Sequence, residues 1–329
     1  MSQVQTLRGP IDSSALGRVL IHEHIFLMDM EYTCNYRQDF FAEETVAKAA
    51  GRLDALKASG IDTIIDLTVL GLGRHVPSLA AVASLTDLNI VISTGIYTFD
   101  EVPNPFMFHG PGLLLDAPEP MVDLFVRDIT EGVAGTGLKA GQLKCAIDMQ
   151  GLTPGVERVM RAVAQANVIT GTPITVHTAP QARTGLTVQR VLSEEGVNLE
   201  DVIIGHCGDT GDIDYLMRLA DRGSLLGMDR FGVEFAITMA ERVATIAEMV
   251  KRGYAGRMAL SHDCCAWSDF FPRVEDYHAA MPRHHYLHIH DDVIPALLEA
   301  GVSERDLDTM FIDNPRRHFE NAAKHFAQR

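Results

Sequence analysis

Two histidines separated by one residue stand at the end of the first apolar run of the chain. His22 and His24 follow the run Val19-Leu20-Ile21. Side chains two residues apart on a β-strand point to the same side, so both imidazoles would face one direction. Two neutral imidazoles that converge on one point can bind zinc or a similar divalent ion. Alone, this spacing is only a weak indication of a metal site.

Further residues with metal-binding chemistry stand at the ends of later apolar runs, namely Lys144, His177, His206 and Asp263. A protonated lysine is repelled by divalent ions and cannot bind them. A desolvated lysine can lose its proton, however, and the neutral amine can then add carbon dioxide. The product is a carbamate, an anionic group with two oxygens that can bridge two metal ions.

These residue types together predict a centre of two divalent metal ions. One ion would be bound by His22, His24 and Asp263, and the other by His177 and His206, with carboxylated Lys144 and a hydroxide between them. Zinc is the leading candidate. Iron, cobalt, manganese or a mixed pair remain open, because imidazole and carboxylate ligands accept all of them.

Short β-rich runs alternate with amphipathic helical patterns along the whole chain. The predicted strands are 18–24, 61–69, 89–97, 140–147, 173–178, 201–207, 224–230 and 257–263. The predicted helices are 42–59, 76–87, 119–134, 154–169, 185–195, 212–222 and 234–252. In the first helix Val46, Ala49, Leu53 and Leu56 recur at three- and four-residue steps, which is typical of one buried face.

Eight such strand–helix units predict an α/β fold, a (β/α)8 TIM barrel that takes residues 1–329 as a single domain. Each candidate ligand would then lie at the carboxyl rim of its strand, where barrels of this kind carry their chemistry. An open doubly wound sheet is the competing fold. It would normally have a Gly-rich phosphate loop after the first strand, where this chain has His-Glu-His.

The net charge and composition of the chain limit the kinds of molecule that it is expected to bind. The 329 residues include 28 Lys and Arg against 44 Asp and Glu, a net charge of −16. Nucleic acid and anionic membranes would be repelled, so a neutral or weakly polar small molecule is the expected substrate. Five cysteines without a disulfide-framework spacing, and no apolar stretch of about 18–20 residues, indicate a soluble protein of the cytoplasm.

Several of these segments resemble the phosphotriesterase family of the amidohydrolase superfamily, in the same order along the chain. They are Gly17-Arg-Val-Leu-Ile-His22-Glu-His24, Lys144-Cys-Ala, Val176-His177-Thr, Ile204-Gly-His206-Cys-Gly-Asp209 and Ser261-His-Asp263-Cys-Cys265. Within the family the chain is most similar to the phosphotriesterase-like lactonases, through Thr94-Gly-Ile-Tyr97, Gly227-Met-Asp-Arg230-Phe and Asp263-Cys-Cys265. One departure is Val19, where many members have threonine; we expect Val19 to point toward the helices.

The resemblance implies hydrolysis of N-acyl-homoserine lactones and other γ- or δ-lactones by a metal-bridging hydroxide, with slower attack on organophosphate triesters. Tyr97 would then donate to the developing oxyanion, and Asp263 would carry the proton to the leaving alkoxide. Asp209 and Arg230 would lie behind that carboxylate. The acyl-chain groove would be lined by Cys265, Trp267 and Phe270. A homodimer is the family-level expectation.

Other interpretations stay open. Phosphotriester hydrolysis could be the main activity, and a catalytically silent barrel could act as a binding protein. Asp209 could cap a helix that begins near Gly211, Arg230 could pair with Asp229, and the residues after Asp263 could serve packing alone.

Two further His-rich or acidic motifs are predicted to lie away from the chemistry. His284, His285 and the pair His288-Ile-His290 would form a solvated or interface segment, with Asp291 and Asp292 capping the next helix. Strand alternation would turn Glu23 and His262 away from the metals.

Overall fold

The structure, a computed structural model, describes residues 2–329, apart from the side chains of residues 274 and 278. Its strands are β1 (Gln3–Thr6), β2 (Gly9–Asp12), β3 (Val19–Glu23), β4 (Phe26–Leu27), β5 (Thr63–Asp66), β6 (Asn89–Gly95), β7 (Gln142–Ala146), β8 (Ile174–His177), β9 (Val202–Ile204), β10 (Leu225–Met228), β11 (Met258–Leu260) and β12 (Trp267–Ser268). Eight of them, β3 and β5 to β11, form one parallel sheet in chain order. Each of these eight strands lies inside its predicted range. Their parallel arrangement in chain order, with helices between them, confirms the predicted (β/α)8 barrel.

Helices follow the barrel strands and pack on the outside of the sheet. They are α1 (Met30–Tyr36), α2 (Glu43–Ala58), α3 (Val76–Ala83), α4 (Pro120–Thr130), α5 (Pro154–Thr170), α6 (Thr184–Glu194), α7 (Ile213–Asp221), α8 (Met239–Lys251), α9 (Val274–Ala280), α10 (Ile294–Glu299), α11 (Glu304–Asp308) and α12 (Asn314–Ala327). Leu53 and Leu56 of α2 are buried, as their spacing predicts, in the same apolar cluster as Leu20 and Ile64 of the sheet. Across residues 2–329 no helix is both long and apolar enough to cross a membrane.

The barrel closes between its first and last strands, β3 and β11. Asp263 N donates to His22 O and His24 N donates to Cys264 O, both at 2.9 Å. Glu23 strengthens this seam from the outer side, since its carboxylate accepts hydrogen bonds from Ser261 Oγ at 2.7 Å and His262 Nδ1 at 2.8 Å. As predicted, Glu23 and His262 are thus turned away from the barrel axis.

Apolar side chains fill the interior at the amino end of the barrel. Val19 and Ile21 of β3 pack there with Ile65, Ile203 and Leu225. The expectation that Val19 points toward the helices is therefore wrong. The register of β3 against β5 shifts between Leu20 and Glu23, and this irregularity changes the inside–outside phase before the two histidines are reached.

The carboxyl-terminal helix α12 covers this amino end. Its Phe319 belongs to the same interior cluster. His318 beside it is fully buried and accepts a hydrogen bond from Gln142 Nε2 at 3.1 Å, while the same amide nitrogen donates to Thr175 Oγ1 at 2.8 Å. The amino end thus combines an apolar core with one neutral polar cluster.

The segment with four histidines after β11 differs from its prediction. His284 and His288 are buried rather than solvated, and His284 Nε2 donates to the carbonyl of His262 at 3.0 Å. Asp292 does not cap a helix; it pairs with His288 Nδ1 at 2.7 Å inside a π-helical turn that spans Ile289–Val293. The prediction failed because this segment packs against the outer side of the β3–β11 seam, a long-range contact that its own sequence does not reveal.

Candidate metal centre

The six predicted ligands meet in one cavity at the carboxyl rim. Its volume is about 160 Å³. The lining residues are His22, His24, Leu27, Leu72, Tyr97, Lys144, His177, His206, Arg230, Asp263 and Phe270. The ligands come from the ends of five different strands, β3, β7, β8, β9 and β11, which a parallel barrel places around one axis.

Three of these side chains form a compact group. Asp263 Oδ1 lies 3.1 Å from His24 Nε2 and 3.3 Å from His22 Nε2. Two imidazole nitrogens and a carboxylate oxygen at such spacing could hold one metal ion. This is the first of the two predicted ligand groups.

A buried carboxylate orients two of the histidines. Asp229, at the end of β10, accepts hydrogen bonds from His22 Nδ1 and His206 Nδ1, each at 2.8 Å. It also accepts from the backbone N–H of His206 at 2.9 Å. Asp229 lies close enough to His22 and His206 to bind a metal ion together with them. Its two carboxylate oxygens, however, already accept hydrogen bonds from the Nδ1 atoms of these two rings. It therefore fixes the proton of each ring on Nδ1 and leaves a lone pair on Nε2 facing the cavity.

The other two histidines have outer partners of their own. His24 Nδ1 donates to Thr68 Oγ1 at 2.8 Å. His177 is oriented the opposite way round, because its Nε2 donates to Asp148 Oδ2 at 2.5 Å. All four rings thus hold their proton on the outer nitrogen, and all four inner nitrogens are free to bind a cation.

The inner nitrogens of the second group face each other directly. His177 Nδ1 lies 2.7 Å from His206 Nε2. Burial lowers the pKa of His177 to about 4 and the pKa of His206 well below its usual range, so both rings are neutral at neutral pH. With both protons on the outer nitrogens, two lone pairs repel one another. A divalent cation bound to both would remove that repulsion, so the donor set fits a metal ion.

Lys144 lies between the two groups. Its Nζ is 3.3 Å from His22 Nε2, and the side chain is fully buried. Burial lowers the pKa of Lys144 to about 8, although the carboxylates Asp263 and Asp229 oppose the shift. Roughly a tenth of this amine is therefore neutral at pH 7, far more than for an exposed lysine, and the neutral form is the one that can react with carbon dioxide.

Asp263 is also held from the outer side of the cavity. Arg230 Nε donates to Asp263 Oδ2 at 3.1 Å, and its NH1 donates to Asp209 Oδ2 at 3.0 Å. Arg242 NH1 donates to the other oxygen of Asp209 at 2.5 Å. Asp209 therefore lies between two guanidinium groups, as a partner of Arg230. The helix after it is capped by Asp212, which accepts from Tyr215 N at 3.0 Å.

The charge of Asp263 follows from these contacts. Burial by itself would raise the pKa of its carboxyl, but His22 and His24 hold that pKa well below its usual range. The carboxylate is therefore ionised at neutral pH. Arg230 fixes its second oxygen from the outer side before any substrate arrives.

Tyr97 contributes a hydroxyl donor at the edge of the cavity. Its OH lies 3.4 Å from His177 Nδ1, and its ring meets that imidazole edge to face at 5.3 Å. Burial raises the pKa of Tyr97, so the phenol keeps its proton. Phe99, whose ring centre is 5.1 Å from that of His177, extends this aromatic wall.

The three residues predicted to line an acyl groove do not share one location. Among the described residues, the cavity lining includes Phe270 but neither Cys265 nor Trp267. Trp267 packs 4.9 Å from the ring of Phe40, with Arg37 on its face. The cause is the pairing of β12 with β4, which turns Trp267 away from the cavity, while Leu27 and Leu72 provide apolar lining instead.

Seven contributors to the site were not assigned a role from the sequence. They are Leu27, Thr68, Leu72, Phe99, Asp148, Asp229 and Arg242. Asp229 was detectable, since it is a carboxylate at the end of a predicted strand, in the same position as the ligands on other strands. Asp148 directly follows the predicted strand 140–147 and was detectable in the same way, whereas Thr68 is a hydroxyl side chain with no spacing that links it to His24.

Comparisons with known proteins agree with this geometry. The sequence profile of the Phosphotriesterase family matches residues 2–319. A "Phosphotriesterase homology protein" of Mycobacterium tuberculosis is 55% identical over 321 residues, covering 97% of this chain and 98% of the relative. An "Aryldialkylphosphatase" of Saccharolobus solfataricus is 36% identical over 310 residues, covering 94% and 96%.

A solved structure gives the same result for the fold. The structure of the phosphotriesterase from Mycobacterium tuberculosis superposes with a TM-score of 0.94 at 55% identity, covering 97% of this chain and 98% of that one. Its likeness therefore extends over the barrel and the loops of the carboxyl rim. The chain belongs to the phosphotriesterase family and is a hydrolase of the amidohydrolase type.

Proposed function

We propose that this protein is a metal-dependent lactonase that hydrolyses N-acyl-homoserine lactones and other γ- and δ-lactones, with slower attack on organophosphate triesters. The observation that carries the proposal is the placement of Tyr97, Asp263 and the inner imidazole nitrogens around one cavity of about 160 Å³. An ester group fits this arrangement because it needs a donor for its carbonyl oxygen and a base that can later return a proton.

The metal ligands of the proposal are those of the two groups. His22, His24 and Asp263 would hold one ion, and His177 and His206 the other. When bound, two divalent ions would supply Lewis acidity and a water of lowered pKa. Lys144 would join them as a carbamate: its neutral amine forms a C–N bond to carbon dioxide and loses a proton. Zinc is our first candidate, and iron, cobalt or manganese are compatible with the same ligands.

The chain's own residues would carry out the proton transfers. Asp263, ionised and fixed by Arg230, accepts a proton from the attacking water and delivers it to the ring oxygen that leaves the carbonyl carbon. Tyr97 donates its hydrogen bond to the oxygen that gains negative charge. The product is a hydroxy acid, since the alcohol and the carboxylate of an opened lactone stay in one molecule.

Two features favour a neutral substrate with an apolar arm. The cationic Arg230 is already paired with Asp263 and Asp209, so it offers little to a carboxylate substrate. Leu27, Leu72 and Phe270 give the cavity an apolar side, against which an acyl chain could lie.

The test is a panel of acyl-homoserine lactones of graded chain length measured beside paraoxon, with metal-loaded and chelator-treated protein. We expect kcat/KM for the best lactone to exceed that for paraoxon by at least about tenfold, and both activities to disappear with chelator. Loaded protein that contains two ions yet hydrolyses no lactone would overturn the proposal.

A second candidate function is phosphotriester hydrolysis as the main activity. It is favoured by the relative named aryldialkylphosphatase, at 36% identity. The same panel separates the two, because this candidate requires paraoxon to be the better substrate.

We also propose a homodimer. Tyr32 and Tyr36 on α1, Phe41 shortly after it and Leu70 after β5 are exposed large hydrophobic residues, and a second copy of the chain would remove them from water. Light scattering coupled to size-exclusion chromatography tests this directly, and a monomeric mass at micromolar concentration would contradict it.

A further inference from the structure

We propose that Asp148 is a positioning residue that makes the second metal position available, by holding the proton of His177 on its outer nitrogen. The inference rests on the metal centre proposed above and extends it to a residue outside the ligand set. Asp148 lies on the loop after β7 and does not line the cavity in the part of the chain that the structure describes.

The two oxygens of Asp148 have separate partners. Oδ2 accepts from His177 Nε2 at 2.5 Å, and Oδ1 accepts from the backbone N–H of Met149 at 2.6 Å. The carbonyl of Asp148 accepts from Gly151 N at 2.9 Å, which closes the turn. The carboxylate is therefore fixed by its own loop and directed at one ring nitrogen.

The consequence concerns the two tautomers of His177. With the proton on Nε2, Nδ1 presents a lone pair to the cavity and can bind a cation. With the proton on Nδ1, that N–H would point at the lone pair of His206 Nε2, only 2.7 Å away. The two rings would then satisfy each other through a hydrogen bond, and a metal ion would have to break it. Asp148 favours the first tautomer because only Nε2–H can donate to it.

Asp148 is the accessible member of the outer partners. Its side chain is 25% exposed, whereas Asp229, which serves His22 and His206, is fully buried. Asp148 can thus be replaced without leaving an uncompensated buried charge. Asp148 contacts only one metal-binding histidine, His177, whereas Asp229 contacts a histidine of each ligand group. Replacing Asp148 should therefore weaken binding of the second metal ion without affecting the first.

The experiment measures both metal affinities of the holoprotein by competition with a chromophoric chelator for Co²⁺. We expect Asp148→Ala to weaken the second ion about 10- to 100-fold and to leave the first within about twofold. Asp148→Asn should fall between Asp148→Ala and wild type, because its amide oxygen can still accept from Nε2–H. The matched control is Asp100→Ala, an exposed carboxylate in a neighbouring rim loop.

A thermodynamic cycle with His177→Ala separates positioning from general damage. His177→Ala should weaken the same ion, and adding Asp148→Ala to it should have no further effect, since there is no ring left to orient. Thermal unfolding of chelator-treated Asp148→Ala should match that of the chelator-treated wild type.

The metal-binding results separate failure of the proposed function from failure of the role proposed for Asp148. If wild-type protein binds only one ion or none, the proposed function fails and this inference with it. If wild type binds two ions and Asp148→Ala binds both unchanged, the inference alone is wrong. Equal weakening of both ions together with a lower unfolding temperature of the chelator-treated protein would show a structural role and would also overturn it.

Discussion

The two ends of this barrel both bury histidine, but they use it in opposite ways. At the carboxyl rim, Asp229, Asp148 and Thr68 accept from the outer nitrogens of four rings, so every inner nitrogen turns its lone pair toward the cavity. At the amino end, His318 accepts one hydrogen bond from the amide of Gln142, and its pKa is lowered to about 3 by burial. Burial alone therefore does not make a metal site.

The two ends of the barrel differ in which nitrogen of the buried histidine ring faces a hydrogen-bond donor or acceptor. The rim places its proton acceptors outside the ring of histidines, which leaves lone pairs converging on a cavity. The amino end places an amide donor against the lone pair of its histidine, so that lone pair is already used. We therefore expect substitutions at the rim to remove activity and substitutions at the amino end to remove stability.

The largest expected effect is at Asp263. Asp263→Asn should lower kcat/KM for a lactone by about 10³-fold, or ~4 kcal/mol, because the amide can neither take up the proton nor balance the charge of the ions. Steady-state kinetics on protein of measured metal content checks it. The matched control is Asp201→Asn, a buried aspartate that pairs with His325 Nδ1 at 2.6 Å beside the amino end. Similar losses of activity in both variants would remove the contrast.

A substitution of His318, at the amino end, should have the opposite effect and lower stability rather than activity. His318→Ala should lower the free energy of unfolding by about 3 kcal/mol, because it leaves a cavity and an unpartnered amide in the interior. It should leave kcat/KM within about twofold. In chelator-treated protein, His177→Ala should cost less stability, since it also relieves the repulsion between the lone pairs of His177 and His206. Denaturant unfolding at one pH measures both, and a larger loss for His177→Ala would contradict the argument.

A pH dependence sharpens the same contrast. The pKa of His318 is about 3 in the folded protein, below the ~6.5 of an unfolded histidine, so its contribution is present above pH 6.5 and is lost as the pH falls toward 3. For this residue the loss between pH 7.5 and pH 5 is about 2 kcal/mol. The expected observation is a weaker pH dependence of unfolding in chelator-treated His318→Gln than in wild type. Parallel curves would show that His318 titrates normally.

The sequence was sufficient for the barrel and for the convergence of the candidate ligands. Each strand is a short apolar run, and His22, His177 and His206 stand at or just after the ends of three of them. In a parallel barrel all such ends meet, so the order of elements along the chain determines which side chains share the cavity.

The remaining features depend on contacts between distant segments. Val19 was assigned to the wrong face because one register shift in β3 is invisible in an apolar run. The prediction that Trp267 lines the cavity did not anticipate the pairing of β12 with β4, which turns its side chain away. That pairing joins segments about 240 residues apart in the chain, so the local sequence does not reveal it. The position of Asp148 directly after a predicted strand is visible in the sequence, but no spacing reveals that its partner is His177.

The smallest expected effect tests which aromatic side chain of the rim meets the substrate. Phe270 lines the cavity and is 62% exposed as a residue, so Phe270→Ala should leave the free energy of unfolding nearly unchanged. For a long-chain lactone it should raise KM by a few fold, about 1 kcal/mol, and for a short-chain lactone hardly at all. Trp267→Ala is the control: it should lower stability through lost packing on Phe40 and Arg37 and should not discriminate chain length. If Trp267→Ala instead showed the chain-length effect, the acyl chain would leave the cavity on the other side of β12, and the original sequence prediction for Trp267 would be right.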